Sequence, residues 1–421
     1  MAPSATPSRG KRSCLEREVS FISIFAPDMI TYTASTPRLW VFNPGHEEAL
    51  SFPQHQHLTL SKEIRWMRYE LAPLLRLLAS GEDLIYAPAS PEGAPARLLN
   101  AEGETLPKDA ILPPELLVTI WGVEAHILRE LKNSPLLSRT TLHLPKFTEA
   151  YLQLSHRRAS AELLQYLADE LGYPSGILPL WIEAAETKEE TQRLLLDAIS
   201  EVSQRALGSP RELIVKRPYS SSGRGVQPLP LPVQEKHLEA LVGSCMRSGS
   251  LSLEPYLEVI DNWAIEYTRD ELGKVRFFDL SHFDTLPSGR AYRGNTLASP
   301  MMLWEGLTQL IGEESLQRLI EAHTRWLEER LHSSEYIGYI GVDLFLYREK
   351  GQLCLHPCVE INLRTTMGVL AHFAYEQYVP EGKTGIFRLE RGRGSATGER
   401  VIPLLLTGED SRFTAFVELD K

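Results

Sequence analysis

The stretch YIGVDLFLYREKGQLCLHPCVEINLR, residues 339–364, constrains this chain more than any other. Apolar and polar residues alternate in two runs around a turn carrying Gly351, which is the pattern of a β-hairpin. Ile340, Val342, Leu344 and Leu346 fall on one face of the first strand, and Gly341, Asp343 and Phe345 on the other. On the return strand Val359, Ile361 and Leu363 lie opposite Glu360, Asn362 and Arg364. If Asp343 and the Glu-x-Asn-x-Arg row share a face, two carboxylates and an amide oxygen converge. Such a set suits a hard cation, Mg²⁺ or Mn²⁺, with phosphate oxygens completing its shell. A solvated polar hairpin face is the competing reading. Cys354, His356 and Cys358 lie on the same hairpin, but C-x-H-x-C is not a usual zinc spacing and Pro357 disturbs the strand, so they read as structural.

A second feature asks for a related ligand. Residues 216–226, KRPYSSSGRGV, follow the strand-like run LIV. Lys216 offers a point charge for a phosphate, and Ser220, Ser221, Ser222, Gly223 and Gly225 form a loop whose amides can cradle an anion. It is not a Walker A loop, because the lysine precedes the glycines. A polar linker is the alternative.

Around these features the chain alternates strands and helices. LWVF, the Ser61-capped run with Ile64, Met67, Leu71, Leu74, Leu75 and Leu78 at helical spacing, DLIYA and ELLVTIWGVEAHILRELKN predict a small parallel α/β domain over 38–145, with Pro73 distorting its first long helix. SHRRASAELLQYLADELG opens a second unit, LSLEPYLEV, WAIEY and VRFFDL are strands, EESLQRLIEAHTRWLEERL is a long helix, and the end of the chain reads as β-rich.

The chain has 421 residues, 43% hydrophobic and 24% charged, enough for two or three domains. Its net charge of -11 makes nucleic acid a poor partner. Four scattered cysteines fit a reducing, cytoplasmic setting, and no apolar run approaches the roughly 20 residues of a membrane span. Residues 1–37 read as a tail outside the fold.

Open α/β sheets bind ligands at the carboxyl ends of their strands, so Asn43, His46 and Glu47 in NPGHEEAL are substrate candidates; a capped helix start is the plainer reading. In SGRAYRGN, Arg290, Arg293 and Asn295 can grip a carboxylate, against the alternative of a solvated loop. His55 and His57 read as surface residues.

Taken together, LIVKRPYSSSGRGV, LEPYL, GVDLFLY and VEINLRTTMG resemble the ATP-grasp superfamily over most of the chain outside the tail. The resemblance implies α/β and α+β architecture: two α+β subdomains clasping ATP, residues 146–255 and 256–421, behind a Rossmann-like pre-ATP-grasp domain. It implies that Lys216 contacts phosphates beneath the glycine-rich flap. Glu254, Tyr256 and Leu257 would line the adenine, Glu258 or Asp261 would hold the ribose, and Asp343, Glu360 and Asn362 would bind the metal. Arg157, Arg158 and Lys146 compete for a second basic position. One departure is the Arg between Lys216 and Pro218, where family members often run Lys-Pro.

Most members are carboxylate ligases, which implies small-molecule carboxylate and amine (or thiol) substrates, an acylphosphate intermediate, and in many cases a homodimer. Arg364 and Arg293 are then the catalytic candidates, Arg364 for stabilising the transferred phosphoryl group or the oxyanion. A small-molecule kinase and a non-catalytic ATP-binding regulatory protein are the alternatives.

Overall fold

The computed structural model describes residues 36–52, 58–206, 210–220, 225–286, 292–392, 398–405 and 411–420. Of the expected site residues, Ser221, Ser222, Gly223 and Arg290 lie outside the described residues, as do His55, His57 and nearly all of the expected tail.

The first unit is a five-stranded sheet of β1 (Arg38–Val41), β2 (Leu84–Ala87), β3 (Arg97–Leu99), β4 (Glu115–Ile120) and β5 (Thr141–His143), in the order β3-β2-β1-β4-β5. It is parallel except for the β2–β3 pair. Its helices are α1 (His46–Leu50), α2 (Lys62–Glu70) and α3 (Ala125–Lys132). Ser61 caps α2 by accepting from the Ile64 amide at 3.2 Å. Pro73 ends that helix, and the chain continues as a 3₁₀ turn, Ala72–Leu77, because proline brings no amide to an α-helical bond.

Two short helices follow, α4 (Glu149–Ser155) and α5 (Arg157–Leu171). A four-stranded antiparallel sheet comes next: β6 (Leu180–Glu183), β7 (Glu212–Lys216), β8 (Val226–Pro230) and β9 (Ser250–Pro255), ordered β6-β9-β7-β8. Helices α6 (Lys188–Arg205) and α7 (Glu235–Ser248) cover one of its faces, and Leu195, Val202, Leu213, Val215, Leu241, Leu251 and Leu253 fill a core of its own. The expectation that 146–255 forms one subdomain meets a difference here. Tyr151, Leu154, Leu163 and Leu167 of α4 and α5 share their core with the larger sheet described next.

That sheet has eight antiparallel strands: β10 (Glu258–Arg269), β11 (Val275–Thr285), β12 (Tyr292–Leu297), β13 (Gly338–Glu349), β14 (Gln352–Asn362), β15 (Gly385–Arg391), β16 (Val401–Pro403) and β17 (Phe413–Leu419). Their order is β14-β13-β10-β11-β12-β15-β17-β16. Helices α8 (Pro300–Ile311) and α9 (Glu313–Leu331) pack one face through Trp263, Ile265, Tyr267, Leu307, Trp326, Ile340, Val342 and Leu344. The expected hairpin is β13–β14, with Asp343 opposite Glu360 and Gly341 opposite Asn362, so these polar residues do share a face.

One helix departs from the expected β-rich ending: α10 (Met367–Tyr378), whose Thr366 cap accepts from the Val369 amide at 3.2 Å. Leu370, Ala371 and Ala374 of α10 join a core with Trp40, Phe42, Leu71 and Leu75 of the first unit and Phe387, Phe413 and Val417 of the large sheet. The protein is thus a parallel α/β unit followed by two α+β units, the arrangement the resemblance implies.

Candidate active site

The small sheet and the large one face each other across a narrow cleft lined by Trp181, Lys216, Glu254, Arg157, His356 and Cys358 among others. Only about 10 Å³ is open within it, about the room one water needs. Lys216 ends β7 and its Nζ pairs with Glu254 Oε2 at 2.6 Å, both side chains mostly buried. The strand register places them on neighbouring strands of one sheet, which is why two positions far apart in sequence meet.

Among the three basic candidates, the geometry favours Arg157 at the start of α5. Its guanidinium donates to both oxygens of Glu360, at 3.0 and 3.1 Å. It also donates to the carbonyl oxygens of Arg217 at 3.1 Å and Ser220 at 2.9 Å, and to the Ser220 hydroxyl. One buried side chain therefore joins the glycine-rich loop of the small sheet to the hairpin of the large one. Arg158 turns instead to Glu183, and Lys146 to Glu335 at the surface. At the far end of the loop, Gly225 leaves room for Ser220, whose hydroxyl and Cβ would collide with any Cβ added there.

On the hairpin face, burial, reinforced by the charge of Glu360, pushes Asp343 up to about 7. Asn362 hydrogen-bonds Asp343 and accepts from Arg364 Nη2 at 2.8 Å. Arg364 Nε donates to Glu47 Oε1 at 2.7 Å. Glu47 lies on α1 of the first unit. Burial alone would raise its pKa, but His46 and Arg364 hold it well below the usual carboxylate range. Tyr151 adds a second tie, accepting from the Val123 amide at 3.0 Å and donating to the Leu363 carbonyl at 2.9 Å.

A further acidic residue joins this face without having been a candidate. Glu266 of β10 lies opposite Gly341 and is 1% exposed. Its Oε1 accepts from the Thr366 hydroxyl at 2.6 Å, while Oε2 has no hydrogen-bond partner. Burial above all, then the Asp343 charge, pushes it up to about 8 despite the Thr366 bond. A Cβ at Gly341 would approach Glu266 Oε2 to 3.0 Å, so a glycine is needed beside it. The signal in the sequence was a lone charge inside the apolar strand WAIEY.

Among the described residues, no group of three His, Cys, Asp or Glu side chains is arranged to hold a metal ion. The cation candidates are thus two carboxylates and an amide oxygen. This donor set fits a hard cation that takes its remaining ligands from phosphates, and the Glu266 carboxyl, its Oε2 without a hydrogen-bond partner, lies on the neighbouring strand. Cys358 donates to the Ser160 carbonyl at 3.6 Å and His356 stacks on Phe345, which agrees with their structural reading.

Four expectations are corrected. Asn43 is fully buried, and its amide exchanges two bonds with the backbone of Gly122, at 2.8 and 3.0 Å, so it holds two loops together and cannot grip substrate. Asn295 is spent on Ser281 at 2.7 Å, on the His282 carbonyl and on the Tyr292 hydroxyl. Asp261 gives one oxygen to His282 at 2.7 Å and the other to Trp263 at 2.8 Å, on the helix-covered side of β10, so it does not reach the ribose. His46 is buried beside Glu47, with Nδ1 3.0 Å from Glu47 Oε2, a contact that orients Glu47 and leaves no open face for substrate. Tyr256 is 50% exposed and Leu257 partly buried, in the two-residue break between β9 and β10. Arg293 is exposed near the start of β12.

Several solved structures match parts of the chain at low identity. One is N5-carboxyaminoimidazole synthetase from Staphylococcus aureus complexed with ADP, 14% identical, with a TM-score of 0.41 over 72% of this chain and 76% of that one. A second is N5-carboxyaminoimidazole synthase from Aspergillus clavatus, in complex with ADP and an aminoimidazole ribonucleotide: 11% identity, TM-score 0.43, 91% and 94% covered. A third is D-alanyl-alanine synthetase A from Vibrio cholerae: 15% identity, TM-score 0.42, 81% and 93% covered. No family model and no curated protein matches the chain. The functional assignment therefore rests on the residues of this chain.

Proposed function

We propose that this chain is an ATP-grasp enzyme that joins a carboxylic acid to an amine or thiol at the expense of ATP, through an acylphosphate, releasing ADP and phosphate. One observation carries the reading. Arg157 bonds both oxygens of Glu360 on the hairpin that carries Asp343 and Asn362 and holds the Ser220 carbonyl of the glycine-rich loop, while Lys216 lies beside it in the cleft between the two sheets. Two cations beside a set of oxygen donors suit a magnesium-bound triphosphate.

In this reading Lys216 and Arg157 bind phosphate oxygens, and the loop from Ser220 to Gly225 covers them. Asp343, Glu360 and Asn362 would hold Mg²⁺ (or Mn²⁺), which when bound neutralises phosphate charge. Arg364, fixed by Glu47, offers its guanidinium to the charge that grows on the transferred phosphoryl group or on the tetrahedral oxyanion. The chain's work is positioning and charge stabilisation, not covalent catalysis.

Thermal unfolding with a non-hydrolysable ATP analogue and Mg²⁺ tests the nucleotide site. At a hundred times the dissociation constant the ligand should add about 2.7 kcal/mol, and the Glu360→Gln/Asn362→Ala variant should lose the metal-dependent part. No shift in the wild-type protein would overturn the reading. Phosphate release that requires both an acid and an amine then distinguishes a ligase from a kinase, which would transfer the phosphoryl group to a hydroxyl without releasing it.

A further inference from the structure

A second opening lies away from that cleft. A cavity of about 710 Å³ opens in the first unit between α2, the segment following β2, and α3, and shares no lining residue with the cleft above. That volume suits a small organic ligand. Arg65, Arg68 and Arg129 line it against a single carboxylate, Glu130, a local reversal in a chain of net charge -11.

Arg68 is the unusual member. It is 5% exposed, its Nε donates to the Pro44 carbonyl at 3.0 Å, and its Nη2 has no hydrogen-bond partner. The nearest carboxylate oxygen, Glu124 Oε1, is 3.7 Å away and also unbonded, because Glu124 caps α3 with its other oxygen at 2.6 Å from the His126 amide. A buried charged donor left without an acceptor is costly, so such an arm is normally satisfied by something. Glu130 does not serve, since it accepts from the Tyr86 hydroxyl at 3.0 Å. Arg65 lies one turn before Arg68 on α2, and Arg129 stands on the facing helix; both are exposed at the rim. A planar guanidinium in a buried floor with two exposed ones at the rim, Arg129 resting on His126 Nδ1 at 2.8 Å, is a constellation for an oxyanion.

We propose that this cavity binds the carboxylate or phosphate group of a small organic molecule, with Arg68 as its buried anchor and Arg65 and Arg129 closing over it from either side. The site stands independently of the nucleotide reading, since none of its residues belongs to that cleft. It is nevertheless connected to it. The carbonyl that orients Arg68 is that of Pro44, three residues before the Glu47 that fixes Arg364.

Isothermal titration of the full chain with inorganic phosphate, and separately with succinate, at fixed ionic strength tests the assignment. Saturable binding of either anion is expected, and which one binds shows the source of the oxyanion. Arg65→Ala/Arg129→Ala changes only exposed residues and should weaken it by about tenfold or more. Arg68→Gln should abolish it, and Lys216→Ala should leave it unchanged. Absence of saturable binding in the wild-type chain would overturn the proposal. So would binding that survives in the double variant yet vanishes in Lys216→Ala, because the anion would then sit between the two sheets.

Discussion

Glu266 and Asp343 stand on adjacent strands, and the same cause, burial among other carboxylates, raises both. For Glu266 the folded value of about 8 compares with 4.5 for the free side chain. The folded chain therefore holds a proton that the unfolded chain releases, and stability from this group is full below about 4.5 and lost as pH rises through 8. Over that interval the loss is roughly 5 kcal/mol. Glu266→Gln keeps an acceptor for Thr366 and has no proton to lose. The variant should match wild type near pH 5 and exceed it near pH 8 in urea unfolding, the difference between the two curves isolating Glu266 from Asp343. A variant less stable than wild type at pH 8 would show that the ionised carboxylate is what the fold stabilises. Residue-scale chemistry was only partly legible in the sequence. Strand alternation placed Asp343, Glu360 and Asn362 together because a period of two needs no tertiary information. The fates of Asn43 and Asn295 depended on partners 79 and 14 or fewer residues away in sequence, which no local pattern reports.

At the scale of elements, α10 was hidden for a physical reason. It is wedged between the large sheet and the first unit, so Val369, Leu370, Ala371 and Ala374 pack on several sides and the run has no clear period to read. Its approach to the sheet depends on Gly368. A Cβ there would collide with Glu266 Oε1 and lie 2.6 Å from Ser281 Oγ. Gly368→Ala should therefore force α10 outward, strain the Thr366–Glu266 bond and destabilise the protein by about 2–4 kcal/mol. Gly306→Ala, inside α8, is the control. Its Cβ would meet Trp263 at an ordinary 3.5 Å, so the usual helix preference for alanine should leave stability unchanged or raise it by up to about 1 kcal/mol. Equal losses in both variants, by denaturant midpoint, would show that general helix packing is responsible and not the contact with Glu266.

At the scale of the whole molecule, the three units are not held equally. The first unit and the large sheet share a continuous apolar core through α10, and Arg364–Glu47, Tyr151 and the Thr365 amide bound to the Trp121 carbonyl at 3.1 Å add polar ties. The small sheet keeps a separate core, leaves its neighbour through the break at Tyr256 and Leu257, and is tied back by Arg157. Little room is open between the sheets, so on the proposed reading a nucleotide would enter as they part, and the small unit is the one whose parting exposes least shared core. Residues 180–255 should thus open as a cooperative body at lower free energy than β13 and β14. Native-state hydrogen exchange should show a common, lower protection across β6 to β9, rising together when Mg²⁺ and the ATP analogue bind. In Arg157→Leu that protection should fall further, while β13 stays as in wild type, since the variant removes a tie between units and leaves both cores intact. Protection of equal height across the small and large sheets, unmoved by the variant, would mean that the two close as one rigid body and that the nucleotide must enter by another route.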